Sequence, residues 1–147
     1  MEHDVKQLTF FRFEDLRVYH KALDYATWVY GATRDLPDGL GKARDSFQQA
    51  AVGIAVQIAE GSARNKNQFI YYLKMSKSSV RECLVYTSSL HQLDQFTNKQ
   101  EEESRNELME LTKMIGALIG SLVRSGSNYE GEDEEDFPGH PDDRNNR

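Results

Sequence analysis

Ala50-Ala51-Val52-Gly53-Ile54-Ala55-Val56-Gln57-Ile58-Ala59-Glu60-Gly61 is the stretch on which the reading of this chain turns. From Ala50 to Ala59 only Gln57 interrupts the apolar run, so a helix here is oily around most of its circumference. Such a helix is buried on more than one side. In a small protein of four helices, the extra side is expected to face another copy of the chain. Ala51, Ala55 and Ala59 make a ridge of small side chains that lets a neighbouring backbone come close. With Trp28 of the preceding helix, they are the candidates for an oligomer interface. Gly53 sits mid-helix at a cost of ~1 kcal/mol relative to alanine, which suggests tight packing around it. Gly61 suits a left-handed C-terminal cap.

Working outward, the helix holding this stretch is expected over about 43–60. Before it, Leu36-Pro37-Asp38-Gly39 is a break. A first helix capped by Asp15 is expected to reach about Arg34. Leu16, Tyr19, Leu23, Ala26 and Tyr30 follow the spacing of a buried stripe, with Val18, Ala22, Tyr25 and Val29 as a second apolar sector beside it. A third helix, capped near Asn65 or Asn67, is expected to run as far as Phe96. A fourth begins at Thr97 or Asn98, with Gln100 and Glu101 placed for capping boxes, and runs to about Arg124. No strand pattern competes. The expected fold is all-α, an antiparallel up-down-up-down four-helix bundle over 14–125. An irregular leader (1–13) precedes it and an acidic tail (126–147), expected to be disordered, follows.

The chain has 147 residues and a net charge of −6, unevenly spread. Residues 1–125 hold 16 basic and 16 acidic side chains, so the tail, with 2 basic and 8 acidic, carries the whole imbalance. The low overall charge therefore does not exclude nucleic acid as a partner of the body. The single cysteine, Cys83, rules out an intrachain disulfide. With no apolar run near the ~20 residues needed to cross a bilayer, a soluble cytoplasmic protein without membrane contact is expected.

The opening FEDLRVYHKA (Phe13–Ala22), the segment QQAAVGIAVQIAEG (Gln48–Gly61) and the spacing of Leu73, Ser78-Ser79 and Glu82 resemble the four-helix-bundle family of 23S rRNA intervening-sequence proteins. The resemblance spans about Phe13 to Ser125. It implies a bundle that assembles as a ring-like homopentamer. It also implies similarity to the accessory variability determinant of diversity-generating retroelements, a basic pentamer that binds a reverse transcriptase and nucleic acid. The chain departs from the family pattern at Gln48 and Gln49, where basic residues are common, at Gly53 (serine) and at Gln57 (asparagine).

Candidate chemistry is sparse. Between Gly61 and Arg81 there is no acidic residue, whereas Arg64, Lys66, Lys74, Lys77 and Arg81 supply five positive charges. Lys66, Lys74, Lys77 and Arg81 fall within about 80° on a helix of 3.6 residues per turn, a stripe suited to phosphates. Tyr71 and Tyr72 stand nearby and could stack on bases. Against this stands a plain solvated face with ion pairs. Glu60 and Glu82 are read as parts of a structural network, Glu60 pairing with Arg64 or with the amides opening helix three. Glu82 is expected to be partly buried against a basic side chain or a tyrosine hydroxyl. No Glu-x-x-His pair of the kind di-metal bundles use is present. No phosphate loop or nucleophile elbow occurs, and Cys83 reads as a core residue. No catalytic, cofactor or metal-binding residues are therefore assigned.

These features together point to a non-enzymatic homo-oligomeric scaffold without a cofactor. By resemblance it is a pentamer, binding RNA or a nucleic-acid-processing partner. The alternative is a protein-interaction module whose acidic tail recruits a basic partner without touching nucleic acid.

Overall fold

Four α-helices occupy α1 (Arg17–Thr33), α2 (Gly41–Ser62), α3 (Lys66–Gln92) and α4 (Asn98–Arg124) in a computed structural model that describes residues 10–125. The expectations for residues 1–9 and for the tail 126–147 lie outside the described residues. No strand occurs among those described. The fold is all-α.

The central element is α2, which packs against α1 on one side and α3 on the other, while α4 closes against α3 and α1. This arrangement answers the question raised by the oily stretch. Phe47, Ala51, Ile54, Ala55 and Ile58 are each at most 2% exposed, because two helices of the same chain flank α2. Most of its apolar circumference is hidden within the bundle, contrary to the expectation that a second copy must hide it. Ala51 and Ala55 in particular cannot meet another chain while the bundle is folded.

Neighbouring helices meet in opposite numerical order. Phe47 of α2 stacks on Tyr86 of α3 with ring centres 5.5 Å apart, whereas Gly61 lies against Tyr72. Tyr25 reaches Ser104, while Lys21 reaches Glu107 and Glu110 at 2.9 and 2.7 Å. Thr87 meets Ser104, and His91 meets Asn98.

The face that α1 buries differs from the stripe expected. Val18, Ala22, Tyr25, Ala26 and Val29 form the core side, whereas Leu23 and Tyr30 are 39% and 47% exposed. The two apolar sectors lie side by side, and packing against both α2 and α4 selects the second together with Ala26 of the first, while Leu16 and Tyr19 pack half-buried against the core. Asp15 does not cap α1 either. It closes a 3-10 turn, Arg12–Asp15, and the α1 N-cap is Leu16 with no side-chain bond. That turn packs on α1 and α2, with Phe13 edge-on to Tyr19 at 4.8 Å.

Two glycine expectations are corrected. Helix α2 continues through Gly61 to Ser62, and its C-cap Ala63 is right-handed. Gly61 serves close approach instead: a Cβ there would stand 2.6 Å from the Tyr72 Cβ and 3.0 Å from the Phe69 ring. At Gly53 a Cβ would meet only Ser79 Oγ, at an ordinary 3.7 Å, so no tight packing explains that glycine.

Helix α3 stops at Gln92, short of the expected Phe96. Asp94 takes φ 60°, with Asp94 N–H donating to His91 C=O at 3.1 Å and Gln95 N–H to Leu90 C=O at 2.9 Å. That is the two-bond Schellman stop, here with aspartate in the left-handed position. Phe96 then folds back into the core, 3% exposed.

Candidate functional site

The basic stripe is positioned by the start of α3. Asn65 caps the helix, accepting from Gln68 N–H at 2.9 Å while the Gln68 side chain accepts from Asn65 N–H, a complete capping box. From there the helix carries Lys66, Lys74, Lys77 and Arg81 along one flank. Lys74 and Arg81 are exposed, whereas Lys66 and Lys77 are half-buried. Neither Lys74 nor Lys77 makes an ion pair among the described residues, and Arg81 donates only to Ser78 Oγ at 3.4 Å. Arg64 is set apart: it lies in the turn between α2 and α3 and pairs with Glu60. Glu60 thus has the local partner expected of a carboxylate at the unfavourable end of a helix.

Sequence reasoning missed the contribution of α4. The Thr87–Ser104 and His91–Asn98 contacts set a register in which α3 and α4 residue numbers sum to about 190. Carried along both helices, it brings Lys113 level with Lys77 and Arg124 level with Lys66. From Leu111 to Ser125 the chain has no acidic residue, and both Lys113 and Arg124 are exposed. The signal was present in the sequence as a second acid-free run, but only packing places it beside the first. Glu110 is the carboxylate nearest in sequence to Lys113. It is held by Lys21, which lowers its pKa from the ordinary carboxylate value, Lys113 adding a smaller push in the same direction.

Tyr71 and Tyr72 do not join this face as free stacking platforms. Both are half-buried and sit edge-on to each other at 5.7 Å, and the Tyr72 Cβ is the group pressed against Gly61. Burial raises the Tyr72 phenol pKa, against the pull of the nearby Arg64 guanidinium.

Glu82 is corrected. It is exposed and makes no hydrogen bond or ion pair among the described residues, so it belongs to no buried network. It rims a shallow polar cleft between α2 and α3, lined also by Ser46, Gln49, Gly53, Gln57 and Ser79. There Ser79 donates to Gln57 Oε1 at 3.1 Å. Gln48 is spent inside the bundle, donating to Thr33 Oγ1 at 3.0 Å.

Cys83 is fully buried, and burial pushes its thiol up to about 12. Beside it runs a buried hydroxyl chain. Thr87 donates to Cys83 C=O at 2.9 Å. Each hydroxyl carries one proton, so Ser104 donates to Thr87 at 2.7 Å and Tyr25 to Ser104 at 2.8 Å. Burial raises the Tyr25 phenol well above its ordinary value, so this chain is neutral. Among the described residues no group of three or more His, Cys, Asp or Glu side chains could hold a metal ion. None of their helices is long and apolar enough to cross a membrane.

The interface candidates divide. Trp28 is half-buried within its own chain, stacked on Tyr25 at 6.0 Å and edge-on to Phe96 at 5.8 Å. Ala59 remains half-buried at the outer edge of α2, near Val52 and the 55%-exposed Val56. The Thr33–Gln48 bond brings Tyr30 level with the turn of Val52, and Leu23 level with that of Val56 to Ala59. An apolar strip thus runs along α1 and α2, apart from the buried Ala51 and Ala55.

Compared with known proteins, residues 14–117 match the family model of the 23S rRNA-intervening sequence protein. No curated protein matches the chain.

Proposed function

The chain belongs to the 23S rRNA-intervening sequence protein family, and from that premise we propose that it is a non-enzymatic scaffold binding RNA through its α3/α4 face. The opposite numerical order of its helix contacts supports an antiparallel up-down-up-down bundle. The observation that carries the RNA reading is the pairing of two acid-free half-helices. Lys66, Lys74, Lys77 and Arg81 on one, and Lys113 and Arg124 on the other, form a cationic face, with the neighbouring Glu110 held by Lys21. Such a face binds a phosphate backbone by releasing its counterions, without reading bases.

The apolar strip of Leu23, Tyr30, Val52 and Val56 supports a homo-oligomer, and the family resemblance favours a pentamer. Repeating the cationic face around a ring multiplies weak phosphate contacts. A cytoplasmic location agrees with a body of this kind.

The test is a titration of the full chain with a uridine homopolymer across a salt series. Affinity is expected to fall steeply with salt, and the triple variant K74Q/K77Q/R81Q to show a slope shallower by about two to three units of log K per log salt. A salt slope unchanged in the variant would overturn the assignment of the face. Capture of a basic protein through the acidic tail, with no RNA binding, would favour the interaction-module reading instead.

A further inference from the structure

We propose that the acidic segment Glu130–Asp136 docks in cis on the α3/α4 cationic face. The inference rests on the same face as the RNA reading, but not on RNA being its ligand. Three observations carry it.

The first is charge complementarity. Glu130, Glu132, Asp133, Glu134, Glu135 and Asp136 place six carboxylates within seven positions, and the face carries Lys66, Lys74, Lys77, Arg81, Lys113 and Arg124. Lys74, Lys77 and Lys113 make no ion pair among the described residues, and neither Arg81 nor Arg124 has a carboxylate partner there. Cations crowded on one face repel one another, and a polyanion relieves that repulsion.

The second is where the segment starts. Helix α4 ends at Arg124 with Ser125 as its C-cap, and the α3/α4 register puts that end level with Lys66. The segment therefore leaves the bundle at one end of the face rather than across the molecule from it.

The third is length. Lys66 to Arg81 covers about 22 Å at 1.5 Å per residue. At 3.3 Å per residue, the four residues 126–129 can span up to about 13 Å and the seven residues 130–136 up to about 23 Å. The acidic run matches the face in span, with enough slack to turn back onto it. Held this close, its effective concentration at the face is in the millimolar range, so even weak ion pairs suffice to keep it there.

Zero-length carbodiimide cross-linking of the full chain, mapped by mass spectrometry, tests this directly. Cross-links are expected between the carboxylates of 130–136 and Lys74, Lys77 or Lys113. They should disappear when the six carboxylates are replaced (E130Q/E132Q/D133N/E134Q/E135Q/D136N), a change that leaves residues 10–125 untouched. In a mixture of isotopically light and heavy protein, each cross-linked pair should be of one isotope. Mixed pairs would place the segment on a neighbouring copy, and cross-links confined to other lysines, or none, would remove the docking altogether.

The same six-fold variant should bind the uridine homopolymer roughly tenfold more tightly at low salt, because a competing polyanion has been removed. RNA binding by neither form, with the cross-links present, would defeat the RNA reading and uphold the docking. RNA binding unchanged between the forms, with no cross-links, would do the reverse.

Discussion

Gly61 and Gly53 lie two turns apart on one helix, and their surroundings give them opposite tolerances. At Gly61 the added methyl would collide with the Tyr72 Cβ, a backbone-anchored atom that cannot swing away. Gly61→Ala is therefore expected to destabilise the protein by about 1–3 kcal/mol through overpacking. At Gly53 the methyl finds an ordinary contact, so Gly53→Ala should be neutral or gain up to about 1 kcal/mol from helix propensity. Denaturant midpoints of the two variants check both, and a matched pair of losses would refute the difference. The same scale governs Cys83. Fully buried and with its thiol pushed up to about 12, it has almost no thiolate at about pH 8, and the thiolate is the reactive form. Iodoacetamide should leave native protein unmodified and label it only in denaturant; rapid native labelling would show an opening motion at the α3 core.

At the scale of the element, the ends of α3 and α4 show what a sequence reveals and what it conceals. Asn65 and Thr97 were each legible as one of two candidate caps, beside Asn67 and Asn98, because their side chains act locally. Each sits three residues before a glutamine that returns the bond. Thr97→Ala removes the acceptor for Gln100 N–H, 3.0 Å away, and should cost about 1 kcal/mol by thermal unfolding. No loss of stability would mean the α3–α4 turn is held by Phe96 alone. The stop at Gln92 was not legible, since it uses an aspartate where glycine is the usual marker. Nor was the buried face of α1. Its two apolar sectors are equally plausible by spacing, and the choice is made by α2 and α4, which lie far away in the chain. The cationic site was half legible for the same reason. Its α3 cations share one helix and one period, whereas Lys113 and Arg124 become neighbours only through tertiary register.

For the molecule as a whole, the oily circumference of α2 turned out to be an internal matter, yet a smaller apolar strip is left on the outside. Leu23, Tyr30 and Val56 expose 39%, 47% and 55% of their surfaces. If copies associate there, the double variant L23E/V56E should shift the protein to a monomer in sedimentation, with its helical content intact. Both sites are already exposed in the single chain, so the substitutions cost the isolated fold little. Association unaffected by the two charges would move the interface elsewhere.

The hydroxyl relay from Tyr25 through Ser104 and Thr87 to the Cys83 carbonyl has a consequence at the surface. If α4 slid by one turn, Leu108 would stand where Ser104 does, and the orphaned hydroxyls would each cost about 1–3 kcal/mol. An interior lock therefore dictates which exterior charges become neighbours, keeping Lys113 abreast of Lys77. Greasing that lock, for instance by making Tyr25 phenylalanine and Ser104 alanine, would loosen the alignment of the outer charges without touching any one of them.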